Sequence, residues 1–431
     1  MDIKISVSHL RVGMFVAELD RPWLDTPFLL QGFWIRDPET IQRLRKYCDF
    51  VWIRTDKKAK DTDVDRVANV DWKDRGEKAN REIGLIDFLP VKPLRHLDSV
   101  AVEEEMDQAQ MARCKVQEAL GVVLHDIYHD RKIAIVGLKE AVTGIADSVL
   151  RNPDACMWLR LVKDRDTYTY HHLLDTSALA IAIGRHLGFA RDELSDIGLG
   201  ALLIDIGKLK LPPELIKKSS ALSEDEYALV KKHVEYSVEL LDQVPGVNKR
   251  ILEIVAAHHE QFDGNGYPHG LKGRVIPPFA RMVAIADCFD AVTSDRPYAA
   301  GISPHEAMRR LYRWSGTAFQ RELVEQFIQC LGIYPVGTLV ELSTGEVGVV
   351  IGQNRIRRLK PRLMLILGQD KRPLDSFPEL DLMAQSPDQE EDGVVIKRSV
   401  EPEEYGIDPR QFYLSRSPMT PEILRHMSYP V

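Results

Sequence analysis

Cysteine is sparse and poorly placed for chemistry. The five residues Cys48, Cys114, Cys156, Cys288 and Cys330 include no Cys-x-x-Cys pair, which argues against a zinc knuckle or a disulfide framework and leaves each as a small apolar or surface residue. Long apolar runs are missing as well. No stretch approaches the roughly 18 uninterrupted apolar residues of a membrane helix, and the start, Met1 to Ser6, lacks the basic and apolar segments of a signal peptide. The expectation is a cytoplasmic chain without a membrane partner. Nor is positive charge in excess. Lys and Arg number 57 against 65 Asp and Glu, a net charge of −8, which gives no general attraction to DNA or anionic lipid. A polyanionic ligand would need a local cluster of positive charge, and bound metal ions are one way to supply it. There is no internal repeat and no long low-complexity tract.

What is present is an ordinary globular composition, 44% hydrophobic and 28% charged, in 431 residues, enough for two or three domains. Residues 1–60 read as a small α/β unit, with strand patterns at Ile3 to Val7, Met14 to Leu19 and Phe50 to Arg54 and a helix from Pro38 to Tyr47. Residues 61–98 are highly charged and read as a linker. Through 99–163, apolar residues recur at three- and four-residue steps, predicting connecting helices that pack on the next domain or on a second copy of the chain. Residues 164–332 are almost entirely helix-patterned. From 333 to 431 the texture turns to strands, such as Thr338 to Leu342, Gly348 to Ile351 and Leu363 to Leu367. The fold class expected is multidomain and mainly α, with an all-helical core, a small α/β N-terminal domain and a small β-rich C-terminal appendage.

The chemistry-bearing residues gather in the helical segment: His172, Asp205, His233, His258, His259 and Asp287. Neutral imidazoles and carboxylates form a ligand mix suited to iron, manganese or zinc. Any one histidine is ordinarily a satisfied core or surface residue, but these six each stand beside a landmark. Asp205 falls in the apolar run Ala201-Leu-Leu-Ile-Asp-Ile-Gly-Lys208, where a carboxylate is costly to bury without a cation. His258 and His259 differ in direction by about 100° on a helix, so both reach one ion only near its end. The glycine-rich loop from Glu260 to Gly273, containing Gly266-Tyr267-Pro268, stops the helix at that place.

This block is similar to the signature of HD-GYP domains, a branch of the HD superfamily of metal-dependent phosphohydrolases. The likeness runs over roughly 165–310 and includes Asp166 to His172, Ile206-Gly-Lys208, His233, Pro277, Ala284 to Asp290 and Thr293 to Tyr298. The first sixty residues resemble a domain of unknown function that often precedes HD-GYP modules. The resemblance implies a phosphodiesterase for the bacterial second messenger cyclic di-GMP, giving pGpG or GMP, with iron or manganese favoured and zinc possible. By that resemblance one ion is held by His172, Asp205 and Asp287, and another by Asp205, His233, His258 and His259, with Asp205 as the bridge. Asp205 and Lys208 are then the catalytic pair, and Lys208, Arg296, Tyr267 and Asp290 face the substrate. A metal-bound hydroxide attacks phosphorus in line in such a site, and no nucleophilic side chain is required. The Gly-Tyr-Pro loop is also where a protein signalling partner would bind, and residues 99–163 are where a homodimer would form.

The pattern has departures. The histidine expected immediately before Asp205 is Ile204, which cannot coordinate a metal and leaves the first ion with fewer ligands. Tyr168 stands where three-metal members carry a glutamate, arguing for one or two ions, and Ala299 replaces a basic residue after the Arg-Pro-Tyr segment. His171 points about 100° away from His172 and is a poor substitute. His125 and His129 superficially repeat the HD pattern but read as exposed helix residues. Two functions therefore compete on the sequence, a cyclic di-GMP phosphodiesterase and a binding module that has lost hydrolysis.

Overall fold

The computed structural model describes residues 2–20, 33–35, 38–54, 90, 93–161, 168–216, 218, 220–295, 301–355, 357–384 and 394–407. Alternating apolar residues at the N-terminus give β1 (Asp2–Ser6), β2 (Phe15–Leu19), β3 (Phe33–Trp34) and β4 (Phe50–Arg54), with α1 (Pro38–Tyr47) before β4. The strands form an antiparallel sheet in the order β1-β4-β2-β3. Its core is its own, built from residues such as Val16, Ile35, Leu44 and Val51.

Next come α2 (Val102–Tyr128), α3 (Val136–Arg151) and the short α4 (Pro153–Leu159). On α2 the buried residues Ala109, Ala112, Val116, Leu120, Val123 and Ile127 recur every three or four positions, and that stripe joins the main helical core. The connecting helices thus spend their apolar face within this chain. The central elements are α5 (Tyr168–His186), α6 (Arg191–Leu203), α7 (Pro213–Ile216), α8 (Glu224–Lys231), α9 (His233–Leu241), α10 (Lys249–Ala257), α11 (Pro278–Thr293), α12 (Pro304–Trp314) and α13 (Arg321–Leu331). Helices α5, α6 and α11 are apolar over most of their surface, as expected of helices enclosed by others. Among the described residues no helix is long and apolar enough to cross a membrane.

The C-terminal strands β5 (Leu339–Leu342), β6 (Val347–Gly352), β7 (Arg362–Leu367), β8 (Glu379–Asp381) and β9 (Ile396–Val400) form an antiparallel sheet in the order β8-β7-β6-β5-β9, followed by α14 (Pro402–Tyr405). This sheet is more firmly integrated than an appendage. On β6, Val347, Val349 and Ile351 enter the main helical core while Val350 enters a separate core on the opposite face, following the two-residue period of a strand. The contact falls on α4, where the indole nitrogen of Trp158 donates to the carbonyl of Ile351 at 2.7 Å.

Candidate metal centre

Helix α6 is buried through its second half and ends at Ile204, after which Asp205 opens a 3-10 turn, Ile206–Lys210. Gly207 makes that turn possible. A Cβ there would lie 2.1 Å from the carbonyl oxygen of His233 and 2.5 Å from the amide nitrogen of Ser237, so only glycine lets the turn approach α9 this closely. The junction is fastened by Ser237, whose hydroxyl accepts from Gly207 N at 2.8 Å and donates to Ile204 O at 3.0 Å. Asp205 is thereby set beside His233, the first residue of α9.

His233 Nδ1 lies 2.7 Å from the carbonyl of Val230, and His258 Nδ1 lies 2.8 Å from that of Val255. A carbonyl only accepts, so each ring carries its proton on Nδ1 and, when neutral, offers a lone pair on Nε2. His233 Nε2 stands 3.2 Å from Asp205 Oδ1 without making a hydrogen bond, and His258 Nε2 is buried with no hydrogen-bond partner. Electron-rich atoms facing one another in a buried site call for a cation between them. One ligand atom from each of Asp205, His233, His258 and His259 lies within 4.8 Å of the others, and among the described residues this is the group that converges in that way. The donor set therefore fits a transition-metal ion, with carbonyls behind the imidazoles fixing their tautomers.

Electrostatics agree with ligand duty. Burial pushes His258 down to about 4, and burial reinforced by His258 holds His259 well below the usual imidazole range, so both rings stay neutral. Burial alone would raise Asp205, but the Lys208 ammonium keeps its carboxyl well below the usual range. Lys208 Nζ sits 2.6 Å from Asp205 Oδ2 and the side chain is one-third exposed, so a charge at the metal cluster also reaches solvent.

His258 caps α10, and the loop beyond it is tied back by a buried glutamate. Glu260 accepts from the amides of His269 and Leu271, both at 2.8 Å. Gly266 crosses so near that a Cβ would lie 2.2 Å from Gln261 N. Tyr267 donates its amide to His259 O at 3.2 Å and lays its ring 4.6 Å from the imidazole of His259, centre to centre. Burial raises its phenol far above the ordinary value, so the hydroxyl remains a donor.

The other half of the expected centre differs. His172 on α5 has both nitrogens facing carboxylates on α11, Nε2 to Asp287 Oδ1 at 2.9 Å and Nδ1 to Asp290 Oδ2 at 2.8 Å. Burial works to lower the ring, but the hydrogen bonds it donates to Asp287 and Asp290 prevail and lift it to about 9. Ile204 is fully buried among apolar neighbours. His172 and Asp287 thus face each other and lie outside the group that converges around Asp205.

Asp290, expected at the substrate, is fully buried behind His172, with Oδ1 taken by Arg160 Nη2 at 2.9 Å and Oδ2 by His172 and by Ser294 Oγ at 3.2 Å. No oxygen is left for a ligand. His171 turns away from the cluster, with Nδ1 3.1 Å from Arg113 Nη2. His125, on α2, and His129, just past its end, are exposed. Arg296 and Ala299 lie outside the described residues. Sequence reasoning missed Arg160 and Ser237. Arg160 had a visible signal, a lone charge in the run Met157-Trp-Leu-Arg-Leu161; an isolated serine on a helix gives none.

An all-helical core that draws histidines and an aspartate from successive helices into one buried cluster is the arrangement expected of the HD class of metal-dependent phosphohydrolases. Three family models match the chain: an HD domain at residues 156–323, a domain of unknown function (DUF3391) at 2–137, and a KOW domain associated with HD domain at 339–407. A Pseudomonas aeruginosa protein named a cyclic di-GMP phosphodiesterase is 35% identical over 368 residues, covering 84% of each chain. A Xanthomonas campestris protein named a cyclic di-GMP phosphodiesterase response regulator is 30% identical over 263 residues, 58% of this chain and 63% of that one. A solved HDG"Y"P protein from Bdellovibrio bacteriovorus aligns at 17% identity with a TM-score of 0.44, over 76% of this chain and 98% of that one. With its His258-His259 pair and Gly-Tyr-Pro loop, the chain belongs to the HD-GYP family of phosphodiesterases.

Proposed function

We propose that the chain hydrolyses cyclic di-GMP, to pGpG or onward to GMP, using a divalent transition metal held by Asp205, His233, His258 and His259. The observation that carries this is the pair of buried imidazole Nε2 atoms, on His233 and His258, aimed into one cluster with a carboxylate and lacking hydrogen bonds. The substrate follows from the relatives, which are named for cyclic di-GMP. A substrate that is an intracellular messenger goes with a cytoplasmic protein. The mixed imidazole and carboxylate set favours iron or manganese, with zinc compatible.

When bound, the metal supplies an acidified water and neutralises charge on the phosphoryl oxygens. The chain's own residues do the rest. Val230 and Val255 carbonyls hold the His233 and His258 rings with Nε2 forward. Lys208, with its ammonium against Asp205 and partly open to solvent, is placed to meet a phosphate oxygen as a point charge. Arg296 is proposed for a second phosphate contact. Tyr267, its ring tilted against that of His259, shapes the wall of the pocket at the cluster.

A second reading rests on Ile204 and on the direct approach of His172 to Asp287. If the reaction needs both ions of the family's centre, the chain binds cyclic di-GMP and reports it without turning it over. Metal analysis with a turnover assay on cyclic di-GMP decides between them. Turnover with at least one tightly held ion per chain is expected; tight binding of the dinucleotide with no turnover under iron, manganese or zinc would leave the sensor.

A further inference from the structure

We propose that Arg160, outside the helices that supply the metal-binding residues, is a positioning residue for the site, acting through Asp290 on His172. The inference rests on the phosphodiesterase reading above. Arg160 follows α4, whose seven residues are all buried. That helix is fixed to the C-terminal sheet: besides the Trp158 bond to Ile351, the Asp154 carboxylate accepts from Gln353 N at 2.7 Å and pairs with Arg355 at 2.6 Å. The guanidinium is 9% exposed and lies 5.1 Å above the Phe289 ring. Its Nη2 meets Asp290 Oδ1 at 2.9 Å and Thr293 Oγ1 at 3.1 Å.

The geometry forms a relay. With Oδ1 held by Arg160, the remaining oxygen of Asp290 is the one presented to His172 Nδ1, which turns His172 Nε2 toward Asp287. A carboxylate behind an imidazole sets ring orientation and tautomer, and groups of this kind behind metal sites carry about 10–100-fold of metal affinity or activity; here the oriented ring holds Asp287, whose charge acts on His258 and His259. Arg160 adds one step behind that carboxylate, and its anchor brings the C-terminal sheet into the support of the site.

The test uses the full chain, loaded with Mn²⁺ for kinetics and with Zn²⁺ for spectroscopy. Arg160→Gln and Asp290→Asn should each lower kcat about 10–100-fold with KM within about threefold, since no substrate contact is removed. The double variant should be no worse than the poorer single one, as expected of residues acting in series. Arg160→Lys should recover part of the loss, because a lysine can meet Asp290 but lacks the planar fork. In ¹⁵N-histidine spectra, the His172 Nδ1-bound proton, assigned with His172→Gln, should shift in both single variants, while the His258 resonances stay in place. Should Arg160→Gln not fold, Thr293→Val loosens the same guanidinium and should give a smaller shift in the same direction. An unmoved His172 resonance, wild-type kcat in the variants, or additive losses in the double variant would overturn the relay. If the wild-type chain itself lacks turnover, the phosphodiesterase reading has failed and the ring resonance alone decides the relay.

Discussion

The two halves of the metal centre use the same residue types in opposite ways. Around Asp205, three imidazoles converge on a carboxylate, and His233 and His258 are backed by carbonyls that fix the proton on the far nitrogen. Around His172, one imidazole lies between two carboxylates that engage both of its nitrogens. Backing by an acceptor-only carbonyl leaves a lone pair for a metal; with no ion bound, a carboxylate at each nitrogen satisfies the ring. Ile204, fully buried and without a donor atom, offers the His172 side no ligand of its own.

The largest expected effect comes from the converged half. His258→Ala should remove the tightly held ion, and turnover should fall well beyond the about 10–100-fold typical of residues behind the ligands. Metal content after dialysis and kcat on cyclic di-GMP measure both. A variant that keeps its metal and rate would place the ion elsewhere and end the comparison. Next is Ile204→His. Without metal, an imidazole in a fully buried apolar site should cost about 1–3 kcal/mol of stability. With Mn²⁺ the loss should be recovered, and a second equivalent should bind at least about tenfold more tightly than in the wild type, read by calorimetric titration. Unchanged occupancy would show that position 204 does not govern the His172 side.

That Asp205, His233, His258 and His259 come together was largely legible in the sequence. These residues sit beside local signals, a Gly-Lys turn and a Gly-Tyr-Pro loop, and Gly207 and Gly266 prove to be close-approach positions. The strands of the C-terminal region were legible from their period, but their shared core with the helices was not, because a strand buried on both faces gives no clue to its second partner. The partners of Asp290 were hidden for a related reason. Its chain position, three residues after Asp287, puts it on nearly the same face of α11, but only packing reveals that Arg160 and His172 consume both oxygens. Long-range ion pairs between a helix outside the motif and one inside it leave no periodic trace.

The smallest effect sharpens the comparison by removing a confounder. Acid loss of stability in the metal-free chain invites assignment to the site histidines, but His186, at the end of α5, has the same sign. Burial foremost, and then Arg358, lower its ring to about 3, and Nε2 pairs with Gln326 Oε1 at 3.1 Å. The folded value lies below the unfolded one of about 6.5, so the stabilisation is complete above pH ~6.5 and lost as pH falls from there toward about 3. The slope is at most about 1.4 kcal/mol per pH unit, and partial exposure of the ring reduces it. Urea unfolding in chelator at pH 7.5, 6 and 4.5 should show His186→Gln losing about 1 kcal/mol less than the wild type over that range. If the two profiles run parallel, His186 does not contribute, and the acid sensitivity belongs to other groups, with the neutral imidazoles around Asp205 first among them.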